Sequence, residues 1–295
     1  MAGVSAVIVT YNNKELVLKQ IDRLLKTDRE NFHIIVVDNA SSDGTAEAIE
    51  SRWGENPRLS LVRQEENRGG AGGFRRGVEE ALKGPFDYFW LLDDDAVPRE
   101  DALDELLKAA EEIPGPWGAL GSLVAQEEQP ELVTETGGGI LWLRGKLTAH
   151  NQNSLIKDVS PEPFIVGHAA AASLLTRRDV VENLGFFEDI FIHFDDVEWC
   201  YRIGRAGYPV YSVPRSIVHH PFKKGAAPGW IRYYDARNIL LVYRRNRPWL
   251  MAVPFLRFRL MALVFFLRGE RQTAHYILRG QRDYFKGKLR LRSEL

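Results

Sequence analysis

The chain has 295 residues, of which 45% are hydrophobic and 27% are charged, and its formal net charge is −1 at pH 7. This length and composition allow a sizeable buried core and exclude a disordered chain. A single cysteine excludes an internal disulfide framework and predicts a reducing compartment. Because no basic region with a cleavage site begins the chain, we expect a cytoplasmic protein.

Short apolar runs alternate with helical periodicity over the first 110 residues. The runs predict strands at residues 6–10, 34–37, 59–62 and 88–92, and the stretches between and after them predict helices at residues 15–25, 45–52, 74–82 and 101–110. This alternation predicts an α/β fold with a mainly parallel central sheet flanked by helices. The irregular residues 113–165 predict loops with an antiparallel edge.

Polar or glycine-rich segments follow all four predicted strands, at the edge where such sheets bind ligands. They are Thr10-Tyr11-Asn12-Asn13, Asp38-Asn39, the segment Asn67–Gly73, and Asp93-Asp94-Asp95. Turn and helix-cap chemistry explains each one separately. Four at equivalent positions predict a single crevice of nucleotide size, in which Asp38 accepts hydrogen bonds from a base or ribose and Thr10 and Tyr11 flank a ring.

The glycine cluster of residues 69–73 predicts a close approach of backbone N–H groups to phosphate, at the start of a helix near Phe74. Arg68, Arg75 and Arg76 lie next to it in the sequence. The cluster is neither a G-x-G-x-x-G fingerprint nor a P-loop, which disfavours a dinucleotide dehydrogenase or an NTPase. A closely packed glycine turn is the structural alternative.

The Asp triplet predicts a divalent metal, because three adjacent carboxylates after a buried strand repel one another and lose hydration. In an extended chain Asp93 and Asp95 point to the same side and Asp94 points away. A third ligand could come from His219-His220. A solvated acidic turn and an unliganded surface histidine pair are the alternatives.

Asp195 and Asp196 follow an aromatic run and begin a predicted helix. One of them could simply cap this helix. Two carboxylates in such an apolar setting also suit a general base, because partial desolvation raises a carboxyl pKa.

These segments, in this order, resemble the family 2 glycosyltransferases of the GT-A fold over about residues 4–222. The match includes Val36-Val37-Asp38-Asn39, Ser41, Asp43-Gly44-Thr45, Asn67-Arg68-Gly69-Gly70-Ala71-Gly72-Gly73-Phe74, Asp93-Asp94-Asp95-Ala96 and Asp195-Asp196-Val197-Glu198. The glycine segment and the Asp triplet resemble bacterial galactofuranosyltransferases and their rhamnosyltransferase relatives. His219-His220-Pro221-Phe222 is similar to a galactofuranosyltransferase segment whose first histidine joins the metal.

The resemblance implies inverting transfer from a nucleotide sugar, with Asp196 as the base and Asp195 as second choice. It implies that Asp93, Asp95 and His219 bind Mn²⁺ or Mg²⁺. The donor-binding residues expected from the motifs and the resemblance together are Thr10, Tyr11, Asn12, Asp38, Asn39, Asn67, Arg68, Gly70, Arg76, Asp93 and Asp94. UDP-galactofuranose is the favoured donor and dTDP-rhamnose the alternative, and the acceptor is a glycan or a polyprenyl-linked glycan.

The carboxyl-terminal part of the chain is basic, with thirteen Lys and Arg against three Asp and Glu in residues 244–295. We therefore expect residues 1–229 to form the catalytic domain and residues 230–295 an amphipathic basic helical segment. Arg257 and Arg259 divide its apolar runs, neither of which reaches the ~20 residues of a bilayer span. The segment predicts peripheral binding to the anionic inner face of the cell membrane. Packing on the catalytic domain or contact between copies in a homo-oligomer are the alternatives.

Two other classes of protein fit the sequence less well. A non-catalytic module that binds nucleotide sugar or membrane would have no need of Asp195 and Asp196. Nucleic-acid binding through the basic segment is disfavoured because its aromatic residues lie in apolar runs and are not interleaved with the cations.

Overall fold

A computed structural model describes residues 2–221 and 228–289. Its strands are β1 (Val4–Thr10), β2 (Phe32–Asp38), β3 (Leu59–Arg63), β4 (Tyr88–Asp93), β5 (Val97–Pro98), β6 (Ala119–Gln126), β7 (Val133–Glu135), β8 (Gly138–Leu141), β9 (Lys146–Ala149), β10 (Phe164–Val166), β11 (Ser173–Arg177) and β12 (Val210–His220). Its α-helices are α1 (Lys14–Leu24), α2 (Thr45–Trp53), α3 (Gly69–Ala81), α4 (Ala102–Glu112), α5 (Arg178–Leu184), α6 (Asp195–Arg205), α7 (Ile231–Asn246), α8 (Ala252–Leu267) and α9 (Arg271–Phe285). Single 3₁₀ turns occur at Ile156–Asp158 and Pro248–Leu250.

The main sheet has the strand order β10-β12-β6-β11-β4-β1-β2-β3. Strands β3, β2, β1 and β4 are parallel, as the alternating sequence predicts. The whole sheet is mixed, because β11 runs antiparallel to both β4 and β6. The register places Thr10 opposite Asp38 and Val9 opposite Asp93, so the polar ends of three strands share one edge.

Strand β6 lies in a region predicted to consist of loops and an antiparallel edge. All eight of its residues are buried. Gly121 and Ser122 interrupt its apolar pattern, so hydrophobic periodicity does not reveal this strand. The Ser122 hydroxyl lies 2.7 Å from the hydroxyls of Ser173 and Ser216, so this buried polar group is satisfied by neighbouring strands. The predicted antiparallel edge also exists, because β10 pairs antiparallel with β12 at the end of the main sheet, and β8 and β9 form a separate hairpin.

Helix α3 begins at Gly69 and not near Phe74 as predicted, so most of the glycine cluster lies inside its first turns. A Cβ atom at Gly73 would collide with Val9, and one at Gly77 would collide with Val7. The glycines therefore allow α3 to pack closely on β1. Gly73 is closely packed as the structural alternative predicts, but within a helix and not in a turn.

The three C-terminal helices pack on one another and on the sheet domain. Residues from α7, α8 and α9 share a hydrophobic cluster with Ala71, Phe194 and Val197. Residues 230–289 therefore share a hydrophobic core with the sheet domain. The domain boundary at residue 229 stays a prediction.

Helix α8 is continuous through Arg257 and Arg259, which corrects the expectation of two divided apolar runs. In the described part of the chain, Pro248–Leu267 is the one helical stretch long and apolar enough to cross a bilayer, and few of its residues are buried. The helix is also apolar on its outward side, where Leu256, Leu260 and Leu263 are exposed, so α8 is not amphipathic in the way predicted.

Candidate active site

Two carboxylates and one imidazole meet where β4 ends. Antiparallel pairing of β12 with β5 brings the end of β12 beside the Asp triplet. His220 Nε2 lies 2.9 Å from Asp95 Oδ1 and 3.7 Å from Asp93 Oδ2. One potential ligand atom from each of the three residues lies within 4.8 Å of the others. Oxygen donors with one nitrogen at this spacing suit Mn²⁺ or Mg²⁺.

His219, the histidine predicted to bind metal, does not join this cluster. Neighbouring side chains of a strand point to opposite faces, so His219 and His220 diverge. Burial lowers the pKa of His219, and the nearby cations Arg99 and Arg23 lower it further. The candidate ligand is therefore His220, and Asp93 and Asp95 keep the roles that strand alternation predicts. Phe222, which belongs to the same sequence motif, lies outside the described residues.

The cluster carries an excess of negative charge in a partly buried site. Burial raises the pKa of Asp93 to about 7; the positive charge of His220 opposes this rise, and Asp95, Asp94 and Asp196 add to it. Burial would lower the pKa of His220, but its hydrogen bond to Asp95 and the charges of Asp95 and Asp93 raise it to about 9. The site therefore favours a bound cation, which can be a proton on His220 or a metal ion.

Asp195 and Asp196 form the first turn of α6 and face the same cleft. The cleft has a volume of about 730 Å³, and Asp93, His220, Asp195 and Asp196 all line it. Burial raises the pKa of Asp195 to about 7, and the charge of Asp196 adds to this effect. Asp196 also contributes to the raised pKa of Asp93, so the two acidic clusters interact across one cavity. A single substrate could therefore meet both clusters.

A strained loop before α6 holds the acidic pair in place. Phe191, His193 and Phe194 have positive φ angles, which side chains of this size rarely adopt. The Asn238 amide of α7 donates hydrogen bonds of 2.8 Å to the carbonyls of Ile192 and His193. Buried Arg237 donates to the carbonyl of Ile190 at 2.5 Å. Helix α7 thus offsets the strain and fixes the start of α6.

The predicted donor-binding residues at the ends of β1 and β2 lie together, but their side chains differ in accessibility. Thr10 and Asp38 are buried, and the Asp38 carboxylate accepts a hydrogen bond from the Ser41 amide at 3.3 Å. Tyr11 is 46% exposed. Asn12 binds the Ser42 amide through its side-chain oxygen at 2.7 Å. These contacts order the ends of β1 and β2 and leave Tyr11 as the exposed aromatic ring beside them.

Asp94, Asn39 and Asn67 connect the strand ends to one another. Burial raises the pKa of Asp94, and the nearby polar side chains of Thr10 and Asn13 oppose that rise, so Asp94 points toward β1 and away from His220. Asn39 is buried, donates to the Gly69 carbonyl at 2.9 Å and accepts from the Arg68 amide at 3.0 Å. Asn67 accepts from the Gly69 amide at 2.7 Å. Asn39 and Asn67 thus shape the loop that leads into α3.

The residues of the glycine segment divide between the cleft and other surfaces. Gly70 lines the cleft, and a Cβ atom there would meet open space. The Arg68 guanidinium is half-exposed beside Glu66. Arg76 forms an ion pair with Glu80 at 3.0 Å in a separate hollow next to β3. Its expected contact with a donor is therefore not supported by its position.

Several cleft residues have no motif that marks them in the sequence. Burial raises the pKa of Glu135 to about 7, with a further contribution from Asp196. His193 Nδ1 lies 2.8 Å from Asp235 Oδ1, and both residues line the cleft. His168 also lines it, together with Ala170, Ala171 and Ala172. These residues come from distant parts of the chain, so only their folded positions reveal them.

The raised pKa values predict how stability depends on pH and metal. Asp93, Asp195 and Glu135 have pKa values of about 7 and His220 of about 9, all above their ordinary values. The folded chain therefore holds more of these protons than the unfolded chain between about pH 4 and 9, and its free energy of unfolding falls as pH rises through this window. We expect the Tm in EDTA to fall from pH 5 to 9.

Mn²⁺ should raise the Tm most at the high end of this range, because a cation replaces the lost protons. Thermal unfolding across this pH range, with EDTA or Mn²⁺, measures both effects. The Asp95→Asn variant is the control and should show a smaller response to Mn²⁺. A Tm in EDTA that rises with pH would contradict the assigned electrostatics.

A family profile and a related protein both connect the sequence of this chain to glycosyltransferases. The profile of the family described as "Glycosyl transferase family 2" matches residues 5–158. The galactofuranosyltransferase GlfT1 of Mycolicibacterium smegmatis is 29% identical over 266 residues, which cover 86% of this chain and 84% of that protein.

Two solved structures share the fold. GalNAc-T7 with UDP, GalNAc and Mn²⁺ matches with a TM-score of 0.66 and 16% identity, over 83% of this chain and 48% of that one. The mannosyltransferase PcManGT of Pyrobaculum calidifontis, in complex with GDP-Man and Mn²⁺, matches with a TM-score of 0.59 and 18% identity, over 97% of this chain and 87% of that one. The structural matches and the mixed sheet show that the chain has the GT-A fold. Because the family profile matches more than half of its residues, the chain belongs to glycosyl transferase family 2.

Proposed function

We propose that this glycosyltransferase moves galactofuranose from UDP-galactofuranose to a hydroxyl group of a lipid-linked or cell-envelope glycan, with inversion at the sugar. The observation that carries the mechanism is the single cleft shared by the Asp93–Asp95–His220 cluster and the Asp195–Asp196 pair. The choice of galactofuranose is supported by the relationship to GlfT1. dTDP-rhamnose is the alternative donor.

In this proposal the donor lies along the ends of β1, β2 and β4. Asp38 binds the base or ribose, and Tyr11 provides the exposed ring beside it. Asp93, Asp95 and His220 would hold Mn²⁺ or Mg²⁺, and the fit rests on their donor set and close spacing. When bound, such an ion neutralises charge on the departing nucleoside diphosphate.

Asp196 acts as the general base in this mechanism. It is partly exposed to the cleft, where it can accept the proton of an acceptor hydroxyl that attacks from the face opposite the departing diphosphate. Direct displacement of this kind inverts the sugar. Asp195 is the second choice, because it is buried and its raised pKa leaves it partly protonated at neutral pH.

A donor screen tests this function. We expect UDP-galactofuranose to raise the Tm in Mn²⁺ and to raise it much less in EDTA, because selective binding stabilises the folded state by mass action. UDP-galactopyranose and dTDP-rhamnose are the matched comparisons. A larger shift with dTDP-rhamnose would favour rhamnosyl transfer. Donor binding without turnover on any glycan acceptor would favour a non-catalytic binding module.

We also propose that the outer face of α8 binds the anionic inner surface of the cell membrane. Leu256, Leu260 and Leu263 are exposed on this face, and Trp249 just before the helix is 72% exposed. A large exposed apolar patch marks an interaction surface. Residues 244–295 carry an excess of ten positive charges, so an anionic bilayer is the complementary partner.

A position along the bilayer surface suits α8 better than a position across it. Phe258 and Ala262 are buried against the other C-terminal helices. Arg257 donates a hydrogen bond to the Gly145 carbonyl at 3.1 Å, which ties the middle of the helix to the β8–β9 hairpin. One side of α8 is therefore committed to the protein, and the other side is free for lipid.

Membrane binding can be tested with two matched substitutions. Leu260 on α8 and Ile165 on β10 are both 63% exposed. Leu260→Ser should weaken binding to phosphatidylglycerol-rich vesicles roughly thirtyfold, since burial of a leucine side chain in lipid contributes about 2 kcal/mol. Ile165→Ser should leave it unchanged. Equal vesicle sedimentation of both variants and the parent protein would contradict the proposed surface.

A further inference from the structure

The cleft has a cationic region that the proposed transfer chemistry does not use. Lys146 at the start of β9, Arg232 in the first turn of α7 and Arg257 on α8 all line it. Asp235 pairs with one of them: Arg232 Nη1 is 3.0 Å from Asp235 Oδ2. The same carboxylate binds His193. Asp235 therefore neutralises Arg232 and also engages His193, while Lys146 and Arg257 line the cleft without an ion pair to it.

Arg257 is the best-defined of these cations. Its Nη1 donates to the Gly145 carbonyl, which holds the guanidinium at the cleft wall. Burial lowers the pKa of Arg257, and the nearby Arg232 lowers it further. Within residues 2–221 and 228–289, no carboxylate forms an ion pair with Arg257 or with Lys146. Like charges held close together in a partly buried site favour the binding of an anion.

The ligand chemistry follows from the cations and their surroundings. Guanidinium groups bind phosphate oxygens through paired N–H donors, and a lysine ammonium adds a point charge. Arg257 faces the cleft, whereas Leu256 and Leu260 on the same helix face outward. An anion attached to an apolar chain can therefore place its charged group in the cleft while its chain follows the outer surface of α8.

We infer that Lys146, Arg232 and Arg257 bind the phosphate or diphosphate group of a lipid-linked acceptor. This inference rests on the proposed function, since it places the acceptor in the cleft that holds the acidic pair. The acceptor phosphate is bound by side chains, separately from the donor diphosphate at the Asp93–Asp95–His220 cluster. The cationic site thus selects acceptors that carry a phosphate next to their lipid.

Calorimetric titration in EDTA tests this site, because no metal can then hold a diphosphate at the acidic cluster. The probes are farnesyl diphosphate, farnesol and inorganic pyrophosphate. We expect the parent protein to bind farnesyl diphosphate, and Arg257→Gln and Lys146→Gln each to weaken this binding at least about tenfold. Lys146 is exposed, so its substitution does not threaten the fold. Farnesol should bind weakly and equally to all proteins.

Arg259→Gln is the matched control, because it removes the same charge two residues away on the same helix. Arg259 binds Gln281 at 3.0 Å and does not line the cleft. Its variant should bind farnesyl diphosphate like the parent protein. Equal affinity of all four proteins would overturn the site. Pyrophosphate binding as tight as that of farnesyl diphosphate, with the same loss in the variants, would keep the anion site but overturn the lipid source.

A parallel titration with UDP-galactofuranose in Mn²⁺ separates this inference from the proposed function. Arg257→Gln and Lys146→Gln should bind the donor like the parent protein, which shows that the loss concerns the acceptor side. If the parent protein fails to bind any nucleotide sugar, the proposed donor chemistry is refuted. The EDTA titration still reports on the cationic site in that case.

Discussion

Replacing Asp196 with asparagine should abolish sugar transfer while leaving donor binding nearly unchanged. The amide cannot take the acceptor proton, and loss of a general base lowers kcat by about 10²- to 10⁴-fold. The substitution should preserve the local fold, because the asparagine oxygen can still accept the hydrogen bond that Asp196 Oδ1 receives from the Val197 amide at 2.7 Å. Measurement of kcat beside the donor Kd in Mn²⁺ separates the two effects.

Asp195→Asn is the control for this assignment. Asp195 is more buried than Asp196, so its substitution should affect stability more and proton transfer less. A fully active Asp196→Asn enzyme, together with an inactive Asp195→Asn enzyme, would transfer the role of base to Asp195. Loss of donor binding in Asp196→Asn would instead show that this carboxylate serves the donor.

His220→Ala should weaken Mn²⁺-dependent donor binding at least about tenfold, whereas His219→Ala should leave it close to that of the parent protein. His220 lies 2.9 Å from Asp95, and His219 lies on the opposite face of β12. The two histidines are adjacent in the chain and both are partly buried, so they form a matched pair. Titration of Mn²⁺ at fixed UDP-galactofuranose measures the difference.

Asp95→Ala should behave like His220→Ala, since the two side chains belong to one cluster. In EDTA all these variants should bind the donor as weakly as the parent protein does. A strong effect of His219→Ala on the Mn²⁺ titration, with no effect of His220→Ala, would restore the ligand set that the family resemblance implies.

Local sequence patterns predict the first half of the fold well. Strands β1 to β4 and helices α1, α2 and α4 occur close to their predicted positions, because apolar periodicity reports directly on which face of an element is buried. The same reasoning fails at β6, where Gly121 and Ser122 break the pattern. The Ser122 hydroxyl is satisfied by the Ser173 hydroxyl, and Gly121 allows Ala169 to pack closely against the strand. Hydrophobic periodicity cannot detect either of these long-range contacts.

The start of α3 shows a second limit of local reasoning. The glycine cluster of residues 69–73 predicts a phosphate-binding turn before the helix, since glycine lowers helix propensity. The structure continues the helix through them because Gly73 and Gly77 permit close contact with β1. Tertiary packing outweighs the propensity cost at these positions.

The sequence by itself determines the family, the β/α order of the first 110 residues and the pairing of Asp93 with Asp95 on one side of the chain. Each of these depends on neighbouring residues or on motifs in a fixed order. The tertiary structure decides which histidine meets those carboxylates, because the register of β12 against β5 sets which face His220 occupies. It also brings Glu135, His193 and Arg257 to the same cleft from distant segments, since long-range packing fixes their positions and no local pattern records it.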